Sequence, residues 1–194
     1  MKLHSALVAI VAIVAIALSS CTAILTETTG DQGIQENPAE RTTGAIIEDE
    51  VIETKIAVNM RSQEPAFKQS NFSVVSHNGV VLLIGQVESD FLRAQATEIA
   101  SQASLKIKRI HNELEVAGKA SFISRSNDAW IGTKIRTLLI ADSDVPSSRV
   151  KVIVENGAVY LMGLVSQSEG DSAANLARNV SGVTKVVKVF EYIN

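Results

Sequence analysis

The strongest constraint on this chain is that it repeats itself. Val51-Ile52-Glu53-Thr54-Lys55-Ile56 returns as Trp130-Ile131-Gly132-Thr133-Lys134-Ile135, 79 positions later. Asn78-Gly79-Val80-Val81-Leu82-Leu83-Ile84-Gly85-Gln86-Val87 returns as Asn156-Gly157-Ala158-Val159-Tyr160-Leu161-Met162-Gly163-Leu164-Val165, 78 positions later. Two matches at nearly one offset define two copies of a unit of about 70 residues. The copies are read as residues 46–116 and 127–194, joined by a linker at 117–126.

Each copy reads as helix, strand, strand, helix, strand. Ile52, Ile56 and Met60 recur at helical spacing, as do Ile131, Ile135, Leu138 and Leu139 in the second copy. Asp128 is expected to cap that second helix, and Glu48, Asp49 and Glu50 to lie before the first and complement its positive end. Strands follow at Phe72–Val75 and Val150–Val154. Asn78-Gly79 and Asn156-Gly157 then supply the positive φ angles of a two-residue type I′ hairpin turn. In the returning strands Gly85 and Gly163 share a face with Val81, Leu83, Val87 and with Val159, Leu161, Val165, which suggests close approach of a helix. Alanine-rich second helices and valine-rich last strands complete each copy. The expected fold is α+β: two tandem αββαβ domains, each a three-stranded mixed sheet packed by two helices.

The repeat does not extend to the N-terminus. Lys2 precedes an unbroken apolar run from Ala6 to Leu18, too short to span a bilayer and of the length of an export signal. Leu18-Ser19-Ser20-Cys21 resembles the bacterial lipobox, and Cys21 is the chain's single cysteine; the alternative is an ordinary signal with a chance cysteine. The resemblance makes 1–20 a lipoprotein signal peptide and Cys21 the acylated mature N-terminus. Thr22 and Ala23 follow it, without the aspartate that resembles an inner-membrane retention signal, so outer-membrane delivery facing the periplasm is expected. Residues 21–45 lack apolar periodicity and contain Pro38, and read as a flexible tether or, alternatively, as a short element docked on the first domain.

The pattern of asparagine-glycine, alternating aliphatics, glycine, an alanine-rich helix and a valine-rich closing strand resembles the BON domain. Ser181-Gly182-Val183 reproduces that family's glycine-valine step, whereas Leu105-Lys106-Ile107 departs from it in the first copy. Two such domains behind a lipobox look like the dual BON-domain outer-membrane lipoproteins of Gram-negative bacteria. That resemblance implies anionic phospholipid binding and envelope integrity rather than catalysis, and it points to the first helix of the second domain as the lipid-contacting element.

The residues agree with a binding role. A net charge of -3 excludes a generally basic nucleic-acid binder, and no metal site, cofactor or small-molecule substrate is expected from one cysteine and three histidines. His77, beside the turn, and His111, alternating outward on the last strand, are read as solvated. The first domain carries seven basic and ten acidic residues, the second seven of each, so the second is the less repelled by anionic lipid. Trp130 falls about 100° around the helix from Ile131, on a flank with Thr133, Lys134 and Thr137. The expected phospholipid site is Trp130, Thr133, Lys134, Arg136 and Thr137, with the ring at headgroup level; the alternative is that Trp130 packs between the domains.

A different class of function rests on the outward faces of the returning strands, Val80, Leu82 and Ile84 in one copy and Ala158, Tyr160 and Met162 in the other, with Val187 and Val189 beside the latter. A sheet solvated on that face would be polar. Either the two domains use these faces against each other, or an envelope or division protein docks there and the chain is an adaptor.

Overall fold

The computed structural model describes residues 40–117 and 122–193; Cys21, the signal peptide and most of the tether lie outside them. Helix α1 spans Thr43–Gln63 and starts where the Thr42 hydroxyl accepts the Ala45 amide. Its start lies within the stretch read as tether, so Glu48 to Glu50 stand inside the helix, not ahead of it. Ile52, Ile56 and Met60 form its buried stripe. A short 3-10 turn at Pro65–Lys68 leads into β1 (Asn71–His77), which pairs antiparallel with β2 (Val80–Val87). Helix α2 (Asp90–Gln102), capped by Ser89, returns the chain to β3 (Arg109–Val116), which runs parallel to β2.

The second copy repeats this order. Helix α3 spans Phe122–Ala141 and so begins within the stretch read as linker. It is followed by β4 (Val150–Glu155), β5 (Ala158–Val165), α4 (Gln167–Arg178) and β6 (Lys185–Tyr192). Ser166 and Glu169 form a reciprocal capping box at the start of α4. The sheets are ordered β1-β2-β3 and β4-β5-β6, each with one antiparallel and one parallel pairing. The chain therefore has the α+β architecture of two αββαβ units that its repeat implies.

Both hairpins turn as their sequences require: Asn78 and Gly79 have φ of 54° and 77°, Asn156 and Gly157 of 50° and 76°. The turn glycine's carbonyl then accepts the amide of Lys108 in one copy (2.8 Å) and Thr184 in the other (2.9 Å), which closes the last strand onto the hairpin. Gly85 and Gly163 do not accommodate a helix. A β-carbon there would meet the carbonyls of Asn71 and Arg149, so the close approach is to the neighbouring strand or the turn entering it.

Each unit buries its own core between sheet and helices. Ile52, Ile56, Met60, Val81, Leu83, Val87, Leu92 and Ile99 fill the first, and Ile131, Ile135, Leu139, Val159, Leu161, Val165 and Ala173 the second. A third core lies between the units, where Val80, Leu82 and Ile84 pack with Ala158, Tyr160, Met162 and Val189. The apolar outer faces thus cover each other, leaving the helices on the two outer sides. Polar contacts rim this seam: Gln86 donates to Glu155 (2.7 Å), Asn78 to Glu191 (3.0 Å) and Arg109 to the Phe190 carbonyl (2.8 Å). Lys185 pairs with Glu113 at 2.8 Å and Lys108 with Glu191 at 3.1 Å.

Candidate functional site

Helix α3 packs Ile131, Ile135 and Leu139 against the second sheet, and that stripe decides what its other side shows. Trp130 lies on the outer side, 52% exposed, and does not pack between the domains. The Lys134 ammonium stands 5.8 Å from its ring centroid, within cation–π range. The hydroxyls of Thr133 and Thr137 donate to the carbonyls of Ala129 (2.9 Å) and Thr133 (3.0 Å) inside the helix. Both threonines are exposed on this flank with their hydroxyl protons already engaged. Ile140, 73% exposed, continues it one turn beyond Thr137, about 15 Å along the axis from Trp130. Sequence reading missed Ile140, whose spacing sets it about 60° around the helix from Thr137 and about 80° from Trp130, at the edge of that flank nearer Arg136.

Arg136 does not join this group. It projects about 120° away from Trp130, across buried Gly132, and donates to the Val152 carbonyl at 2.8 Å. There it lines a groove of about 460 Å³ with Asp128, Lys151 and Glu155. Of the five residues expected at a lipid site, four share one exposed flank and one is turned to the sheet edge.

Asp128 is not a helix cap. It lies within α3, buried, and accepts the amides of Asn156 and Gly157 at 2.8 Å each, so it clasps the hairpin turn of its own domain. Asp49, its counterpart 79 positions earlier, does the same for the first turn. It accepts from Asn78 (2.7 Å) and Gly79 (2.9 Å), and also from the Ser76 hydroxyl (2.7 Å) and Arg41 (2.9 Å). Burial works against its charge, but these donors outweigh burial and hold the carboxyl below its usual range.

The histidines are also not the solvated side chains expected: His77 is buried and His111 is partly buried. His77 is 7% exposed, its Nδ1 buried without a hydrogen-bond partner, and burial, with Arg41 next, pushes its pKa down to about 4. His111 likewise buries an unpartnered Nε2, and burial, then Arg109, lowers its pKa. Both stand on the strand faces that point away from their own core, and those faces form the seam. Among the described residues no helix is long and apolar enough to cross a membrane.

Comparison with known proteins identifies the repeat. The family model that matches is the BON domain, at residues 48–118 and 127–194. The chain is 40% identical over 154 residues to the outer membrane lipoprotein DolP of Haemophilus influenzae, covering 79% of each chain. It is 38% identical over 164 residues to a 21 kDa hemolysin of Actinobacillus pleuropneumoniae, covering 84% of each. A third relative, the osmotically-inducible protein Y of Escherichia coli, is 31% identical over 146 residues, 74% of this chain and 72% of that one.

Proposed function

The chain belongs to the BON-domain family, with two copies in tandem, and from that premise we propose that it is an outer-membrane lipoprotein, anchored through acyl chains on Cys21, that binds anionic phospholipid through helix α3 and supports envelope integrity. The relative named as an outer membrane lipoprotein, similar over most of its length, supports the location. The lipobox-like Leu18-Ser19-Ser20-Cys21 supports the anchor.

The exposed Trp130 carries the lipid reading. An indole on an outer helix flank, with Lys134 beneath it and Ile140 further along the exposed side of the helix, presents an interfacial aromatic, a cation and an aliphatic side chain to solvent. A single lysine near an anionic surface contributes about 1 kcal/mol, so this flank binds weakly by itself. Weakness is acceptable in an anchored protein, because the tether raises the effective lipid concentration. No step of this reading calls for a reacting group; the chain is a binding protein rather than an enzyme.

Trp130→Glu tests it. The substitution removes the ring and sets a carboxylate against anionic phosphate. Because the site is half-exposed, the protein is expected to melt as wild type while losing binding to phosphatidylglycerol vesicles. Normal melting with undiminished binding would reject the site.

An adaptor function retains one supporting observation. The sheet faces on which it first rested are buried against each other, but Ile47, Val51 and Val58 are 61%, 40% and 57% exposed along α1. That stripe is the equivalent, in the first domain, of the Trp130 flank.

A further inference from the structure

We propose that the seam between the two domains is a proton-sensitive joint, in which acid protonates His77 and His111 and the two sheets part. The geometry is that of two rings on the sheet faces that form the seam, His77 buried and His111 partly so, each with one buried nitrogen lacking a hydrogen-bond partner. A neutral imidazole tolerates that position, whereas a charged one would be partly desolvated there, His77 opposite Val80 and His111 opposite Leu82 at the margin of the apolar seam.

Neither ring has an anion waiting for it. His77 lines a cleft of about 340 Å³ with Glu40, Arg41 and Arg149, and feels Asp49 on α1, Lys151 on β4 and Glu191 on β6. Asp49 is engaged by Asn78, Gly79, Ser76 and Arg41, and Glu191 by Asn78 and Lys108. His111 feels Arg109 and Glu113 on its own strand, and Glu113 is taken by Lys185 of β6. On β5, burial and then Glu113, Glu115 and Glu155 keep the Tyr160 phenol neutral by raising its pKa.

The direction follows from linkage. Both histidines bind protons less readily in the closed seam than in an opened one, where a ring returns to its ordinary value of 6.5. Closure is therefore fully favoured above pH 6.5 and loses ground as pH falls towards 4. From His77 alone, the opening constant rises roughly 50-fold between pH 7 and pH 4.5. Opening would bare the apolar faces of β2 and β5, and it involves no part of the α3 flank.

Two methionines report it. Met162 is sealed by the seam and Met60 by the first core, both with no exposed surface. Peroxide oxidation of a thioether depends little on pH in this range, so each rate reads how often its enclosure opens. In the full-length chain in nonionic detergent, Met162 is expected to oxidise more than roughly 50-fold faster at pH 4.5 than at pH 7, His111 adding to the effect of His77, with Met60 little changed. His77→Gln and His111→Gln together should flatten that dependence, and each alone should reduce it. A Met162 rate indifferent to pH, a Met60 rate rising in parallel, or a folded double variant that still responds as wild type would overturn the proposal. The two wild-type rates decide it even where the double variant does not fold.

Discussion

A carboxylate inside a helix usually faces water, but Asp49 and Asp128 face protein and each holds a hairpin by its two turn amides. Asp49→Ala would strand those buried donors together with Ser76, and is expected to cost about 3 kcal/mol in urea unfolding at pH 7. Because the Asp49 carboxyl is held below its ordinary value of 3.8, its contribution is present above that pH and is lost as acid drives the pH through the lowered value. Gly79→Val meets the same turn from the other side, since it demands φ of 77° from a branched residue and brings a β-carbon to 2.5 Å from the Lys106 carbonyl. A loss of about 2 kcal/mol is expected, and unchanged melting would contradict the turn geometry. The turn was legible in the sequence because asparagine-glycine has few other uses. The aspartates were legible only as acids near a helix start, because their targets lie 28 to 30 residues further along the chain. The repeat offset that pairs them was the available signal.

At the scale of elements, α3 shows how far periodicity carries. Ile131, Ile135 and Leu139 fixed the buried stripe, and by exclusion the outer flank of Trp130, Lys134 and Thr137. Periodicity does not tell which exposed cation is tied to a neighbour, and Arg136, though exposed, donates to the Val152 carbonyl across a glycine. The two cations should therefore differ. Lys134→Ala is expected to weaken binding to anionic vesicles several-fold with little change in melting, and Arg136→Ala to lower stability by about 1 kcal/mol with a smaller effect on binding. Ile140→Asp, at 73% exposure, should cost little stability and reduce vesicle binding as Trp130→Glu does. Equal effects of Lys134→Ala and Arg136→Ala on binding would place the lipid contact nearer the sheet edge.

At the scale of the whole molecule, alternation along a strand distinguishes two faces without saying what covers them. His77 and His111 point away from their own core, and in a lone domain that means water; here it means the seam side, where His77 is buried and His111 partly so. The apolar partners on those faces, Leu82 and Met162 among them, were the sequence's sign that the faces are covered. Leu82→Asp should separate the units, with a larger radius of gyration in small-angle scattering and both helix–sheet cores retained. Beyond the described residues, Cys21→Ala is expected to abolish outer-membrane fractionation, since the chain has no other cysteine to acylate. The central claim is that the anchored protein meets lipid through α3. Residue-resolved chemical shifts on adding phosphatidylglycerol micelles, with phosphatidylcholine as the control, test it most directly. The account predicts shifts centred on Trp130, Lys134, Thr137 and Ile140 with the anionic lipid and little response to the other. Shifts centred on Ile47, Val51 and Val58 of α1, or none with either lipid, would contradict it.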